Sequence, residues 1–178
     1  MRVISGKYRG KNLIGFDIDG TRPTMDRVKE SLFAMIQNKL NDSVVLDLFA
    51  GSGSLGIEAL SNGAKEAYFV DNNIELINII KKNTIGMNDT IHIMKSDYVD
   101  ALNLFKNNNI KFDIVFLDPP YKLNLIQNCL NTIEKYDLLS ENGIIICEYE
   151  NEIFNTNLEV YKFKKYGSKN IMILKSVK

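Results

Sequence analysis

The 178-residue chain has no tryptophan, one histidine, two cysteines and three prolines. Each scarcity closes a class. Eleven glycines and three prolines cannot make a collagen-like rod, and 45% hydrophobic residues with balanced charge exclude a disordered tail. Cys129 and Cys147 lie in no zinc or redox spacing. They are expected as small core hydrophobes in a reducing compartment. His92, between Ile91 and Ile93, has no accompanying His/Cys/Asp/Glu cluster, so it is expected at a strand edge, and no metal is expected. No stretch approaches the roughly 18 apolar residues of a membrane span, and charge interrupts Met1–Lys11 too often for a secretory signal. A cytoplasmic protein without a membrane partner is expected, and a monomer.

Net charge is also missing, with 22 Lys+Arg against 22 Asp+Glu, but the zero is a sum of unlike parts. Residues 1–29 carry seven bases and three acids, residues 30–159 nine and nineteen, and residues 160–178 six lysines and no acid. Basic ends brought to one face would attract a polyanion through the local field and counterion release, whatever the total.

A chain of this length can bury roughly 70% of its unfolded surface, enough for one core without staples. Its middle alternates short apolar runs with helix-length segments. Val44–Phe49, Ala67–Asp71, Ile91–Met94, Phe112–Leu117 and Gly143–Cys147 read as strands. Such βαβα order predicts an α/β fold: a mostly parallel, doubly wound, Rossmann-like sheet with helices on both faces. Before it, Met25, Val28, Leu32, Phe33, Met35, Ile36 and Leu40 mark one amphipathic helix, with Thr24 after Pro23 as its N-cap. Residues 1–16 predict a small hairpin, and Val160–Phe163 with Ile171–Leu174 a closing antiparallel pair. A single domain, 1–178, is expected, with 1–40 as an N-terminal hairpin and helix and 41–178 as the catalytic core.

Asp47-Leu-Phe-Ala-Gly-Ser-Gly-Ser-Leu-Gly56 closes the first strand and contains G-x-G-x-x-G at Gly51, Gly53 and Gly56. Asp71 ends the next strand, where its carboxylate could accept from ribose hydroxyls. A nicotinamide dinucleotide and S-adenosylmethionine both fit such a site. Asp47 tilts the choice, since a carboxylate would repel a pyrophosphate but can pair with an ammonium.

Val115-Phe-Leu-Asp-Pro-Pro-Tyr121 decides more. The lone pair of an exocyclic base amine is delocalised, so methylating it requires acceptors that draw the nitrogen toward tetrahedral geometry. The Asp118 carboxylate and the Pro119 carbonyl supply two, and Pro119-Pro120 stiffens the loop. Tyr121 offers a stacking platform worth roughly 1–3 kcal/mol per base. Adenine, cytosine and guanine amines all satisfy this pattern.

Ser5–Gly10, Thr21–Phe33, Leu46–Leu60 and Asp118–Tyr121 together resemble the RsmD family, in order along nearly the whole chain. Members methylate N2 of one guanine in 16S ribosomal RNA of the small subunit, using S-adenosylmethionine on a class I methyltransferase fold. The resemblance implies that Asp47, Phe49, Gly51, Ser52 and Gly53 line the methionine end of the cofactor, that Asp71 with Asn72 holds the ribose, and that Asp97, at the end of the third strand, sits by the adenine. It implies an amine site of Asp118, Pro119, Pro120 and Tyr121. RNA would meet the basic first segment, with Arg2, Lys7 and Arg9, and the Arg22, Thr24 and Arg27 region. Ala34 stands where the family usually has Asn, Asn62 where it has Arg, and Asp71 where Glu is common. Alternatives are an adenine-N6 methyltransferase acting on DNA or another RNA, a nicotinamide-dependent oxidoreductase and a non-catalytic RNA-binding module.

Overall fold

The computed structural model describes residues 1–15 and 22–177; the side chains of residues 22–24 lie outside the described set. Helices α1 (Arg22–Met35) and α2 (Gln37–Leu40) precede β1 (Val44–Asp47). Then α3 (Ser54–Ser61), β2 (Glu66–Asp71), α4 (Ile74–Asn83), β3 (Thr90–Lys95), α5 (Tyr98–Asn107) and β4 (Phe112–Leu117) alternate. A 3-10 turn at Tyr121–Leu123, α6 (Ile126–Lys135), β5 (Leu139–Tyr149), β6 (Glu159–Tyr166) and β7 (Lys169–Lys175) complete the chain.

One seven-stranded sheet runs β3-β2-β1-β4-β5-β7-β6, with β1 to β5 parallel and β7 antiparallel to both its neighbours. Successive strand residues face opposite layers. Val45, Ile114 and Phe116 therefore join the core under α1, α3 and α4, while Leu46, Val115 and Leu117 join the core under α5 and α6. Burial on both faces is why these strands read as continuous apolar runs. Cys129 and Cys147 are free and fully buried in the second layer, as expected. His92 lies on the edge strand β3, stacked on Tyr68 and bonded to Glu66.

The N-terminal third differs from expectation in two ways. The single helix is two, broken at Ile36. Thr24 is not its N-cap, because α1 already starts at Arg22; Pro23 is tolerated in a first turn, where backbone N–H groups have no helical partner. The hairpin expected over residues 1–16 is present in the described residues 1–15, where Val3 N–H donates to Lys11 O, Gly10 N–H to Val3 O and Leu13 N–H to Met1 O, each at 2.9 Å, around the Arg2–Asn12 bridge; the same segment also bonds α3. Lys7 N–H donates to Ser61 O at 2.8 Å, Tyr8 N–H to Ser61 Oγ at 2.9 Å, and Ile4 and Ser5 N–H to the Glu58 carboxylate. Gly6 makes this docking possible. It has φ +80°, and a Cβ there would fall 1.9 Å from Ser61 O.

Candidate active site

The sheet order reverses at β1, whose neighbours β2 and β4 continue the chain in opposite directions. The carboxyl ends of such strands leave an open crevice. A cavity of about 660 Å³ occupies it, walled by Phe49 and Gly51 after β1, Asp71 and Asn72 after β2, Asp97 after β3, and Asp118 to Tyr121 after β4. Leu76, Tyr98 and Leu125 add apolar wall that no sequence motif marked. The Phe49 and Tyr98 rings lie 5.6 Å apart.

Two carboxylates hold the loops of this cavity. Asp71 accepts from Gly51 N–H at 3.0 Å and Asn73 N–H at 2.9 Å, tying the glycine turn to β2. Asp97 lies two residues beyond β3 rather than in it, as the N-cap of α5, accepting from Val99 N–H at 2.8 Å. Its short oxygen-bearing side chain suits a cap. Each carboxylate keeps acceptor capacity for ligand hydroxyl or amino groups.

A smaller cavity of about 120 Å³ lies beneath Met1 and α1, bordered by Lys29, Ser52, Glu148 and Lys169. Among the described residues, Asp118 alone borders both cavities. No hydrogen bond from a described residue reaches its carboxylate. Burial raises its pKa well above the ordinary carboxylate range, and Glu148 adds to the rise while Lys169 opposes it. Tyr121 Oη donates to Glu148 Oε1 at 2.9 Å, and Lys169 Nζ bonds the same oxygen at 2.8 Å. Burial raises the Tyr121 phenol too, so it stays a neutral donor. A loop that carries an unpartnered acceptor between two cavities suits transfer of a group from one ligand to another.

A family model described as "Conserved hypothetical protein 95" matches residues 1–175. The ribosomal RNA small subunit methyltransferase D of Haemophilus influenzae is 37% identical over 155 residues, covering 85% of this chain and 80% of that protein. Its Escherichia coli counterpart is 33% identical over 153 residues, covering 85% and 76%. The chain belongs to the RsmD family. A solved Escherichia coli structure, provisionally assigned as a methyltransferase, superposes with TM-score 0.84 at 28% identity, over 98% of this chain and 97% of that one. The architecture is the Rossmann-like fold of class I methyltransferases, with the N-terminal appendage included.

Within this RsmD-family chain, the residues expected at the cofactor divide into two groups. Phe49, Gly51, Asp71, Asn72 and Asp97 line the large cavity. Asp47, Ser52 and Gly53 do not. Asp47 is buried below the glycine turn, where Oδ2 accepts from Gly56 N–H at 3.1 Å. Ser52 faces the small cavity with its hydroxyl toward Met1 Sδ, and Gly53 is the left-handed N-cap of α3. Of the residues expected at RNA, Arg2, Arg9 and Arg27 are exposed, Lys7 is exposed but ion-paired with Asp89, and the Arg22 and Thr24 side chains lie outside the described residues. Glu58, Lys29, Glu148 and Lys169 were missed. A signal for Glu148 was present: an acid stands at or just beyond the carboxyl end of each of the five parallel strands, Asp47, Asp71, Asp97, Asp118 and Glu148.

Asp47 carries a stability cost with a readable pH signature. Burial raises its pKa from 3.8 to about 7, with Asp71 adding to the rise and the Gly56 bond opposing it. The folded state therefore favours the protonated form; that contribution is complete below about pH 4 and is lost as pH rises through about 7. Asp47→Asn keeps an acceptor for Gly56 without the charge. At pH 8 it should stabilise the ligand-free protein, on the order of 2–4 kcal/mol, with almost no gain near pH 4. Thermal melts at both pH values check this, and an equal change at both would overturn the assignment.

Proposed function

We propose that the protein transfers a methyl group from S-adenosylmethionine to the exocyclic N2 amine of one guanine in 16S ribosomal RNA of the small subunit. The observation that carries the reading is Asp118, a half-buried carboxylate with no hydrogen-bond partner among the described residues, bordering two cavities at the end of β4. The large cavity fits the methyl donor. Asp71 and Asp97, which line it, offer carboxylate oxygens as acceptors for adenosine hydroxyl and amino groups, beside apolar wall from Phe49, Leu76 and Tyr98. The cofactor supplies a methyl group already activated on a sulfonium.

The protein's own contribution is alignment and electrostatics. Asp118 and the Pro119 carbonyl accept from the two amine hydrogens, and Tyr121 stacks the base. Asp118 holds its acceptor in a partly desolvated site, where a developing positive nitrogen is stabilised more than in water. Its raised pKa also suits it to receive the proton that the methylated nitrogen releases. Exposed Arg2 and Arg9 on the N-terminal segment and Arg27 on α1 are the contacts for phosphates.

The reading is tested by offering purified protein and radiolabelled S-adenosylmethionine to small subunits lacking native methylation, to naked 16S RNA and to duplex DNA. Label is expected as N2-methylguanine at a single site in the RNA. Label in DNA, or N6-methyladenine in any lane, would sink the guanine assignment.

A further inference from the structure

The amine loop alone does not choose a base, and three of the four bases carry an exocyclic amine. The choice must come from what stands beside Asp118. Within the small cavity those neighbours are Glu148 and Lys169. Their side chains retain 12% and 29% of their exposure. Both Tyr121 Oη and Lys169 Nζ bond Oε1 of Glu148, and no described residue bonds Oε2. Lys169 spends one of its three donors on Glu148.

We infer that Glu148 and Lys169 are the base-reading pair of the acceptor cavity: Glu148 Oε2 accepts from N1–H of the target guanine, Lys169 donates to its O6, and Asp118 takes the N2 amine. This rests on the guanine reading above and supplies its physical reason. Guanine's pairing edge runs donor, donor, acceptor from N2 through N1 to O6. Asp118, Glu148 and Lys169 offer acceptor, acceptor, donor. Adenine and cytosine present their amine beside bare ring nitrogens, whose lone pairs would face the Glu148 carboxylate. A site built to bond a particular N–H rejects bases without it, because its own buried groups are then left unpaired. Tyr121 and Lys169, sharing Oε1, fix the carboxylate so that Oε2 is the oxygen presented.

The test uses the full-length protein with small subunits assembled from unmethylated RNA, and begins with the wild type. Digestion and mass spectrometry identify the product; N6-methyladenine, or no product, defeats the guanine reading before any variant is made. With N2-methylguanine in hand and its position mapped, that guanine is replaced by 2-aminopurine through RNA ligation and reassembly. The analogue keeps the N2 amine but lacks both N1–H and O6. Compared on the high-pH plateau, so that the loss of the Lys169 charge beside Asp118 does not enter, Lys169→Met should lower kcat/KM on the guanine substrate about tenfold or more, yet change the 2-aminopurine substrate by less than about twofold. Glu148→Ala should lose as much on guanine and lose nothing on 2-aminopurine. RNA affinity in the presence of S-adenosylhomocysteine should follow the same pattern. Equal losses on the two bases would overturn the inference and leave the pair as a positioning device for Tyr121. If Glu148→Ala does not fold, Lys169→Met decides alone.

Discussion

Replacing Asp118 with Ala removes methyl transfer, by about 100- to 1,000-fold or more, with S-adenosylmethionine binding nearly unchanged. The carboxylate is one of two acceptors for the amine, and it acts in a half-buried, partly desolvated site between two cavities, where a water placed at random is a poor substitute for it. Asp71 and Asp97, which would hold the cofactor, are tied to Gly51, Asn73 and Val99 and do not depend on Asp118. Lost activity would ordinarily invite the suspicion of unfolding. Here the sign of the stability change separates the two. Asp118 has no partner among the described residues and sits near Glu148 and Asp47, so Asp118→Asn should melt no lower than wild type at pH 8. The pH dependence gives a second check. Only the ionised carboxylate accepts two hydrogen bonds and takes a proton, so single-turnover rate should rise with pH through a midpoint above the ordinary carboxylate range. That limb should vanish in Asp118→Asn, where Oδ1 still accepts but nothing titrates. A wild-type rate independent of pH between 4 and 8 would defeat this role.

Removing Glu58 should cost about 3–5 kcal/mol, the largest single-residue stability loss expected outside the apolar core. Glu58 is completely buried in α3, and its carboxylate receives Ile4 N–H at 3.0 Å, Ser5 N–H at 2.9 Å and Lys29 Nζ at 3.2 Å. Lys29 is itself buried and also donates to Arg2 O at 2.8 Å and Ser54 Oγ at 3.0 Å. Glu58→Ala leaves an uncompensated ammonium and two unsatisfied backbone donors where no water replaces the carboxylate. Glu58→Gln keeps an acceptor for the backbone and loses only the charge, so it should fall between. Chemical denaturation measures the loss, and hydrogen exchange locates it: residues 3–13 should lose protection first. The same anchor holds Met1 and Lys29 against the small cavity, so Glu58→Gln should raise KM for the RNA substrate while S-adenosylmethionine affinity stays constant. Wild-type stability in Glu58→Ala would refute the anchoring role.

What the sequence determined by itself is local or periodic. The strands β1 to β4 are apolar runs bounded by helical patterns, and a parallel sheet buried on both faces leaves few other readings of such a string. Phe112–Leu117 was legible to the residue because Asp-Pro-Pro ends it sharply. Longer β5 was not, because Ser140, Glu141 and Asn142 are polar and fall in an irregularity between the Phe112–Leu139 and Ile114–Ile144 pairs, so only the pairing on either side of them extends the strand back to Leu139. Likewise the glycine turn and Asp118–Tyr121 could be placed on one sheet edge from strand order alone, since every parallel strand delivers its carboxyl end to the same side. Only the tertiary structure decided which way each acid faces. Asp47 turns down onto Gly56, Asp71 and Asp97 hold loops, and Asp118 stands free between two cavities. Only the antiparallel return of β7 brings Lys169 to Glu148, and only the packing of α1 against α3 pairs Lys29 with Glu58. Periodicity reports which side of an element is buried. It carries no record of the partner across a distance of 21 or 29 residues, which is set when the layers close and each buried charge must find its opposite.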